Sequence, residues 1–274
     1  MSDTTPDKVG KPNFISDTWV MARRGILHIQ RVPEALTDAT IQPIMFTLLF
    51  AYVFGGAIAV QGGSYREFMI GGVFAQTIAF GCFGVAMSLA NDRKNGAVDR
   101  VRSLPRAKGS YRAGHAIASL IRSIVPIILM SLTGLIVGWR IRNGLGDAIA
   151  AYALMLGFSF AMIWIGVLLG AALSSPEAVQ GVAFVVIFPI TFIASTFVPA
   201  NTLPGVLRTV AEWNPVTTLA EAFRVLFGNP QSPVQPDAPW SLQHPILYSV
   251  IWIVAITVIV APLATRVLQR SISD

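Results

Sequence analysis

Apolar residues run through this chain in long unbroken blocks. Residues 41–60, 68–90, 179–199 and 245–265 contain no charged residue at all. Residues 113–139 contain one, Arg122, and 147–173 has only its first residue, Asp147, charged. A bilayer core about 30 Å thick is crossed by about 20 mostly apolar helical residues. The pattern therefore predicts an all-α polytopic membrane protein with six spans at these positions.

The polar stretches predict the smaller elements. Residues 1–15 carry Pro6 and Pro12 and read as a disordered cytoplasmic tail. Ser16 or Asp17 is a suitable N-cap for a helix to about Gln30. Trp19, Ala22, Ile26 and Ile29 fall at helical spacing, with Arg23 and Arg24 largely elsewhere on the wheel. That is the pattern of a helix lying in the membrane interface, and equally of an amphipathic helix packed on another domain. Between spans two and three, Val98, Val101 and Leu104 are three residues apart and Pro105 follows. A short cytoplasmic helix ending at Leu104 fits; a solvated loop that merely fixes topology is the simpler reading of its charge.

The longest excursion, about 200–244, lies between spans five and six. Thr202 is placed to cap and Pro204 to open a helix, on which Val206, Leu207 and Val210 form a stripe. Asn214-Pro215 breaks it, and 217–227 reads as a second short helix. Two stubs of about ten residues are too short to cross a bilayer, so they predict a re-entrant or interfacial hairpin. An exposed loop is expected over 228–239, and 266–274 forms a cytoplasmic tail. Gly134-x-x-x-Gly138 and Gly166-x-x-x-Gly170 match the close-packing pattern of membrane helices. Pro126 and Pro189 are candidate kinks.

Composition agrees with the blocks: 54% of the 274 residues are hydrophobic and 12% charged, against about 25% charged in soluble domains. Net charge is +6, and its distribution matters more than its size. Fourteen Lys and Arg flank the odd-numbered entries and the two ends, and five lie on the opposite side. Basic residues mark the cytoplasmic side, which puts both termini inside and speaks for a membrane surface rather than nucleic acid. Cys82 is the only cysteine, so no internal disulfide forms; a small buried residue at a helix contact is its plain reading.

Chemistry is then narrowed by elimination. None of Lys8, Lys11, Lys94 and Lys108 precedes Ser or Thr, so the G-x-x-x-x-G-K-[ST] phosphate loop is missing. His28, His115 and His244 have no ligand spacing, and no G-x-S-x-G occurs. Asp147 and Glu177 sit at span ends, which counts against an ion-coupled carrier needing mid-membrane carboxylates. Arg122 either snorkels to the inner interface or pairs with an anionic substrate or lipid headgroup. Trp164, Phe158, Phe160, Phe188 and Phe192 suit an amphiphilic cargo, and equally lipid contact or bundle packing. A helical bundle without its own energy source remains; a membrane scaffold is the class-level alternative.

Two motif regions carry a family resemblance. The run Asp92-Arg93-Lys94-Asn95-Gly96-Ala97-Val98-Asp99-Arg100-Val101-Arg102-Ser103-Leu104-Pro105 resembles the cytoplasmic loop of ABC-2 type permeases. Phe197-Val198-Pro199, Leu203-Pro204, Asn214-Pro215 and Glu221-Ala222-Phe223-Arg224 resemble the segment before their last span. The resemblance covers nearly the whole chain, with 16–265 as one transmembrane domain, and is nearest to the branch that includes daunorubicin-resistance permeases. It implies a permease subunit of an ATP-driven exporter of drugs, antibiotics or lipids. The partners would be two copies of a separate ABC ATPase, which holds ATP and Mg, and a second permease copy or paralogue in the plasma membrane of a bacterium. Asp92, Val98, Asp99, Arg100, Val101, Arg102, Leu104 and Pro105 would form the coupling helix on that ATPase. Trp19, Arg23, Arg24, Ile26 and Ile29 would mark the interface helix. Pro199, Leu203, Pro204, Asn214, Pro215, Glu221 and Arg224 would belong to a re-entrant outer gate.

Overall fold

The structure is a computed structural model that describes residues 41, 43–56, 58, 60, 62–95, 110–173, 175–233 and 238–273, without the side chains of 110–116 and 269–273. The interface helix expected over 16–31 and the coupling positions from Val98 to Pro105 lie outside the described residues. Nine helices are described: α1 (Pro43–Phe54), α2 (Tyr65–Lys94), α3 (Ser110–Val137), α4 (Leu145–Ala172), α5 (Pro176–Ile193), α6 (Gly205–Glu212), α7 (Pro215–Phe227), α8 (Trp240–Gln243) and α9 (Pro245–Ser273). There is no strand among the described residues. Five helices, α2, α3, α4, α5 and α9, are long and apolar enough to cross a membrane. α1 covers only part of the first expected span: it runs for 12 residues, ends in a π-helical turn over Phe50–Phe54, and is followed by Gly55 and Gly56.

The α2, α3, α4, α5 and α9 helices alternate in direction, so the bundle has a Tyr65 end and a Lys94 end. α4 is its axis, packed between α2 and α9. The closest seam is built by one of the two expected glycine pairs. A Cβ on Gly166 would lie 2.4 Å from the Cys82 carbonyl oxygen, and one on Gly170 2.7 Å from that of Ala86. Backbones at that separation admit only glycine on the α4 side. Cys82 is accordingly a fully buried contact residue. The other pair does not act this way: α3 ends at Val137, and Gly138, at φ 108°, turns the chain so that Trp139 folds back into the core.

One proline effect, one early ending and one late ending depart from the simple span pattern. α5 carries a π-helical turn at Ala183–Ile187, just before Pro189, where the missing proline N–H loosens the backbone ladder. It then stops at Ile193, six residues short of the expected 199. Ala194 is extended, with φ −61° and ψ 155°, because the segment after it supplies backbone carbonyls to a buried side chain. α2 in turn continues to Lys94, so Asp92 lies on its last turn rather than in the following loop. Residues 229–233, expected to be exposed, are mostly buried under contacts from the α3–α4 turn.

Candidate functional site

α7 is an amphipathic stub by sequence, yet all but two of its residues are buried. Asn214 starts it: its side-chain oxygen accepts from the Val216 N–H at 2.8 Å, as an N-cap should. The same side chain donates to the Ile190 carbonyl at 2.6 Å, one of the carbonyls that the end of α5 leaves unpaired. One residue thus closes two helix ends. Pro215 occupies the first helical position, where its missing N–H costs nothing. Gly228, at φ 69°, ends the helix in the left-handed conformation.

The polar centre of this region is Arg224, whose side chain is wholly buried. Its Nε donates to the Phe68 carbonyl at 2.8 Å, and Nη2 to the Ser195 carbonyl at 2.7 Å and to that of Thr196 at 3.3 Å. Nη1 donates to Glu221 Oε1 at 2.7 Å and to the Ser195 hydroxyl at 3.2 Å. The guanidinium also lies 3.6 Å from the centroid of the Phe68 ring, a cation–π contact. Gly71 leaves room for it, since a Cβ there would meet Arg224 Cγ at 2.9 Å. Glu221 is completed by the Ser195 and Ser232 hydroxyls and the Ser232 N–H. Burial pulls the guanidinium below arginine's ordinary range, and the charge and hydrogen bond of Glu221 oppose that pull. The cluster ties α2, the strand-like stretch after α5, α7 and the loop behind it into one unit. Charges enclosed with this many donors and acceptors hold a geometry rather than perform chemistry.

Around this centre the Tyr65 end is closed by a second ring of contacts. Arg142 pairs with Glu67 at 2.8 Å. The Trp139 indole N–H donates to Asn229 at 2.6 Å, and Asn229 donates to the Arg140 carbonyl. Asn143 reaches the Val225 carbonyl. A polar hollow of about 870 Å³ lies here, lined among others by Glu67, Arg142, Asn229 and Ser232. At the opposite end, Arg93 Nη1 donates to the Gly170, Ala171 and Leu173 carbonyls at 3.2, 2.9 and 3.2 Å. A cation there also complements the helix dipole of α4. Lys94 and Glu177 form an exposed pair beside it at 3.6 Å, which adds little.

Of the residues expected to form the gate, the structure joins Asn214, Glu221 and Arg224 to one another through α7. Pro199 is buried at the short 3₁₀ turn Ala200–Thr202, while Leu203 is half-buried and Pro204 exposed before α6. Thr202 does not cap α6; its hydroxyl donates to the Pro199 carbonyl, and Pro204 occupies the cap position without a side-chain bond. Sequence reasoning missed Ser195, Thr196, Ser232, Phe68 and Arg93. Only the Glu221/Arg224 spacing of three offered a signal, because the other partners are mostly backbone carbonyls.

The same hairpin and the whole bundle before it fall inside one family signature. Residues 16–227 match the ABC-2 type transporter family. The chain belongs to that family. It is 30% identical over 220 residues to the daunorubicin resistance ABC transporter permease protein DrrB1 of Streptomyces coeruleorubidus, covering 80% of this chain and 78% of the relative. A probable doxorubicin resistance ABC transporter permease protein of Mycobacterium tuberculosis is 26% identical over 256 residues, covering 92% and 88%. A putative transport permease of Cyanophora paradoxa is 23% identical, covering 79% and 76%. This ABC-2 chain is the membrane permease subunit of an ABC exporter. Permeases of the family work with ABC ATPase subunits, so the chain is a multi-pass transporter component rather than an enzyme in the usual sense.

Proposed function

We propose that this permease moves amphiphilic, drug-like or lipid cargo out of the cytoplasm or inner leaflet, using ATP hydrolysed by a separate subunit. The observation that carries the reading is the match to relatives whose names join ABC permease function to daunorubicin and doxorubicin resistance. The apolar surface supports the cargo class: Phe188 and Phe192 stack at 4.0 Å and are both more than one third exposed. Phe50 and Phe197 stack at 4.0 Å beside them. Phe158, by contrast, is core, and Phe160 and Trp164 pack edge to face.

In this reading α1 belongs to a sixth crossing, and α6 and α7 form a re-entrant or interfacial hairpin at the outer side, the Tyr65 end. Both termini and the Lys94 end face the cytoplasm of a bacterial cell, as the excess of Lys and Arg there favours. Two ATPase copies, carrying ATP and Mg, dock on the segment from Asp92 to Pro105. Val98, Val101 and Leu104 provide the apolar anchor, and Asp99, Arg100 and Arg102 the polar contacts. The leader around Trp19, Arg23, Arg24, Ile26 and Ile29 lies at the inner interface against the same partner. A second permease, identical or paralogous, completes the path. Arg93 supports the coupling role, because it ties the end of α2 to the end of α4 at the start of that segment.

The test is reconstitution with the ATPase subunit in proteoliposomes and measurement of ATP-dependent extrusion of a fluorescent anthracycline. Leu104→Asp is expected to leave membrane insertion intact and to cut extrusion at least tenfold per ATP hydrolysed. Full transport by Leu104→Asp would remove the docking assignment, and a wild-type complex that never recruits an ATPase would remove the function.

A further inference from the structure

Arg122 and Arg224 both lie within helices of the bundle, and of these two only Arg224 has hydrogen-bond partners among the described residues. Arg224 is held by five hydrogen bonds, one of them to a carboxylate. Arg122, the one basic residue inside the span helix Ile117–Val137, has no hydrogen bond and no ion pair among the described residues, and its Nε is enclosed without an acceptor. The charge that acts on it is Asp92, on the last turn of α2, which stays beyond ion-pair distance. An ionisable group left unpaired within a span is costly and marks a site whose partner comes from elsewhere.

The helix phase says where that partner enters. Ile117, Ile124 and Ile128 are exposed and share one stripe of α3. Arg122 lies about 140° round the helix from Ile117 at 100° per residue, on the face it shares with buried Ala118 and Thr133. Simple snorkelling along the lipid-facing stripe is therefore not its arrangement. Side chains on a helix lean toward its N-terminus, and α3 starts at the Lys94 end, so the guanidinium points to the headgroup level on that side. Pro126 adds the complementary vacancy: its ring nitrogen cannot close the turn onto the Arg122 carbonyl. The Arg122 turn thus presents one unpartnered donor and one carbonyl acceptor, on a helix whose outer side carries an apolar stripe fit for acyl chains.

We propose that Arg122 binds the phosphate of a membrane phospholipid whose headgroup enters between α3 and its neighbours at the Lys94 end. A phosphodiester takes the guanidinium as a charge-assisted hydrogen-bonded pair. A headgroup hydroxyl, as in phosphatidylglycerol, supplies the donor that the Arg122 carbonyl needs. The acyl chains pass from the Arg122 side of α3 toward its outer, lipid-facing side. This assignment concerns a resident lipid and does not depend on what the permease transports.

The test uses the full-length permease in detergent, exchanged against vesicles of phosphatidylcholine with or without phosphatidylglycerol, and native mass spectrometry of the bound lipid. Wild type is expected to retain phosphatidylglycerol about tenfold over phosphatidylcholine, Arg122→Lys a few-fold, and Arg122→Gln without preference. Equal retention by Arg122→Gln overturns the proposal. Stabilisation by millimolar inorganic phosphate equal to that by the lipid also overturns it, in favour of a soluble anion. Lipid-free thermal unfolding guards against a folding artefact: Arg122→Gln is expected to melt at or above the wild-type temperature. A marked drop would mean that the arginine serves an internal contact, and would overturn the proposal too.

Discussion

α6 and α7 are adjacent short helices separated by two residues, Trp213 and Asn214, and both carry an apolar stripe, yet they occupy opposite environments. On α6, Val206 is 81% exposed and Val210 50%, and only Ala211 is buried. On α7, Leu219, Ala220, Ala222, Phe223, Arg224 and Phe227 are all fully enclosed. α7 is the more apolar of the two, but hydrophobicity alone does not explain its burial, since it also encloses a Glu–Arg pair. The difference is in partners. α7 finds backbone carbonyls, hydroxyls and a carboxylate for its polar groups, and so it is able to enter the bundle. α6 pairs Arg208 with Glu212 on its own surface at 2.6 Å and keeps its valines outside. Burial of a short helix in an apolar bundle is decided by whether its polar residues are satisfied there.

Removing Arg224 is the strongest way to break this comparison. Arg224→Ala leaves Glu221 buried without its cation and frees three carbonyls, those of Phe68, Ser195 and Thr196. The expected loss is ~3–5 kcal/mol, read as a large drop in the thermal midpoint of the detergent-solubilised protein. Arg224→Lys keeps the charge but not the fork of donors, so an intermediate drop is expected. A midpoint for Arg224→Ala within a degree or two of wild type would show that the network is decoration on α7 rather than its anchor.

A smaller effect is expected at the junction. Asn214→Ala removes both the cap on α7 and the donor to Ile190, at a cost of ~1–2 kcal/mol. Asn214→Asp separates the two roles, because a carboxylate still accepts from Val216 but has no N–H for the Ile190 carbonyl. Asn214→Asp is therefore expected to fall between wild type and Asn214→Ala in the same melting assay. Equal midpoints for the two variants would assign the whole effect to the carbonyl of α5.

Long apolar blocks were legible because crossing a membrane imposes length and composition at once. Helices α2, α4 and α9 overlap the blocks to within a few residues at most ends, apart from the longer tail of α9. The break at Asn214-Pro215 was legible for a local reason, since an Asx cap followed by proline is a helix start in any context. The end of α5 was not, because 194–199 is as free of charge as what precedes it, and only Arg224, some thirty residues later, draws those carbonyls out of the helix. The same holds for Arg93: its partners are the terminal carbonyls of α4, which no side-chain pattern announces. Of the two glycine pairs, only Gly166 and Gly170 both meet the backbone of another helix, and a four-residue spacing contains no information on what lies opposite.

The weakest perturbation tests the other half of the comparison. Val206→Ser deletes two methyl groups from the most exposed large apolar side chain of α6 and adds a hydroxyl. If α6 lies against lipid headgroups and acyl chains, its valines bind the membrane surface rather than the fold. The melting midpoint in detergent is then expected to move by no more than about 0.5 kcal/mol equivalent, as for surface substitutions generally. The response should appear in the bilayer instead: a spin label or fluorophore at Val210 should become more accessible to an aqueous quencher in Val206→Ser than in wild type. A midpoint loss approaching that of Asn214→Ala, with unchanged quenching, would mean that a protein surface covers α6 in the detergent-solubilised particle. The contrast between the two stubs would then be one of partner identity rather than of burial.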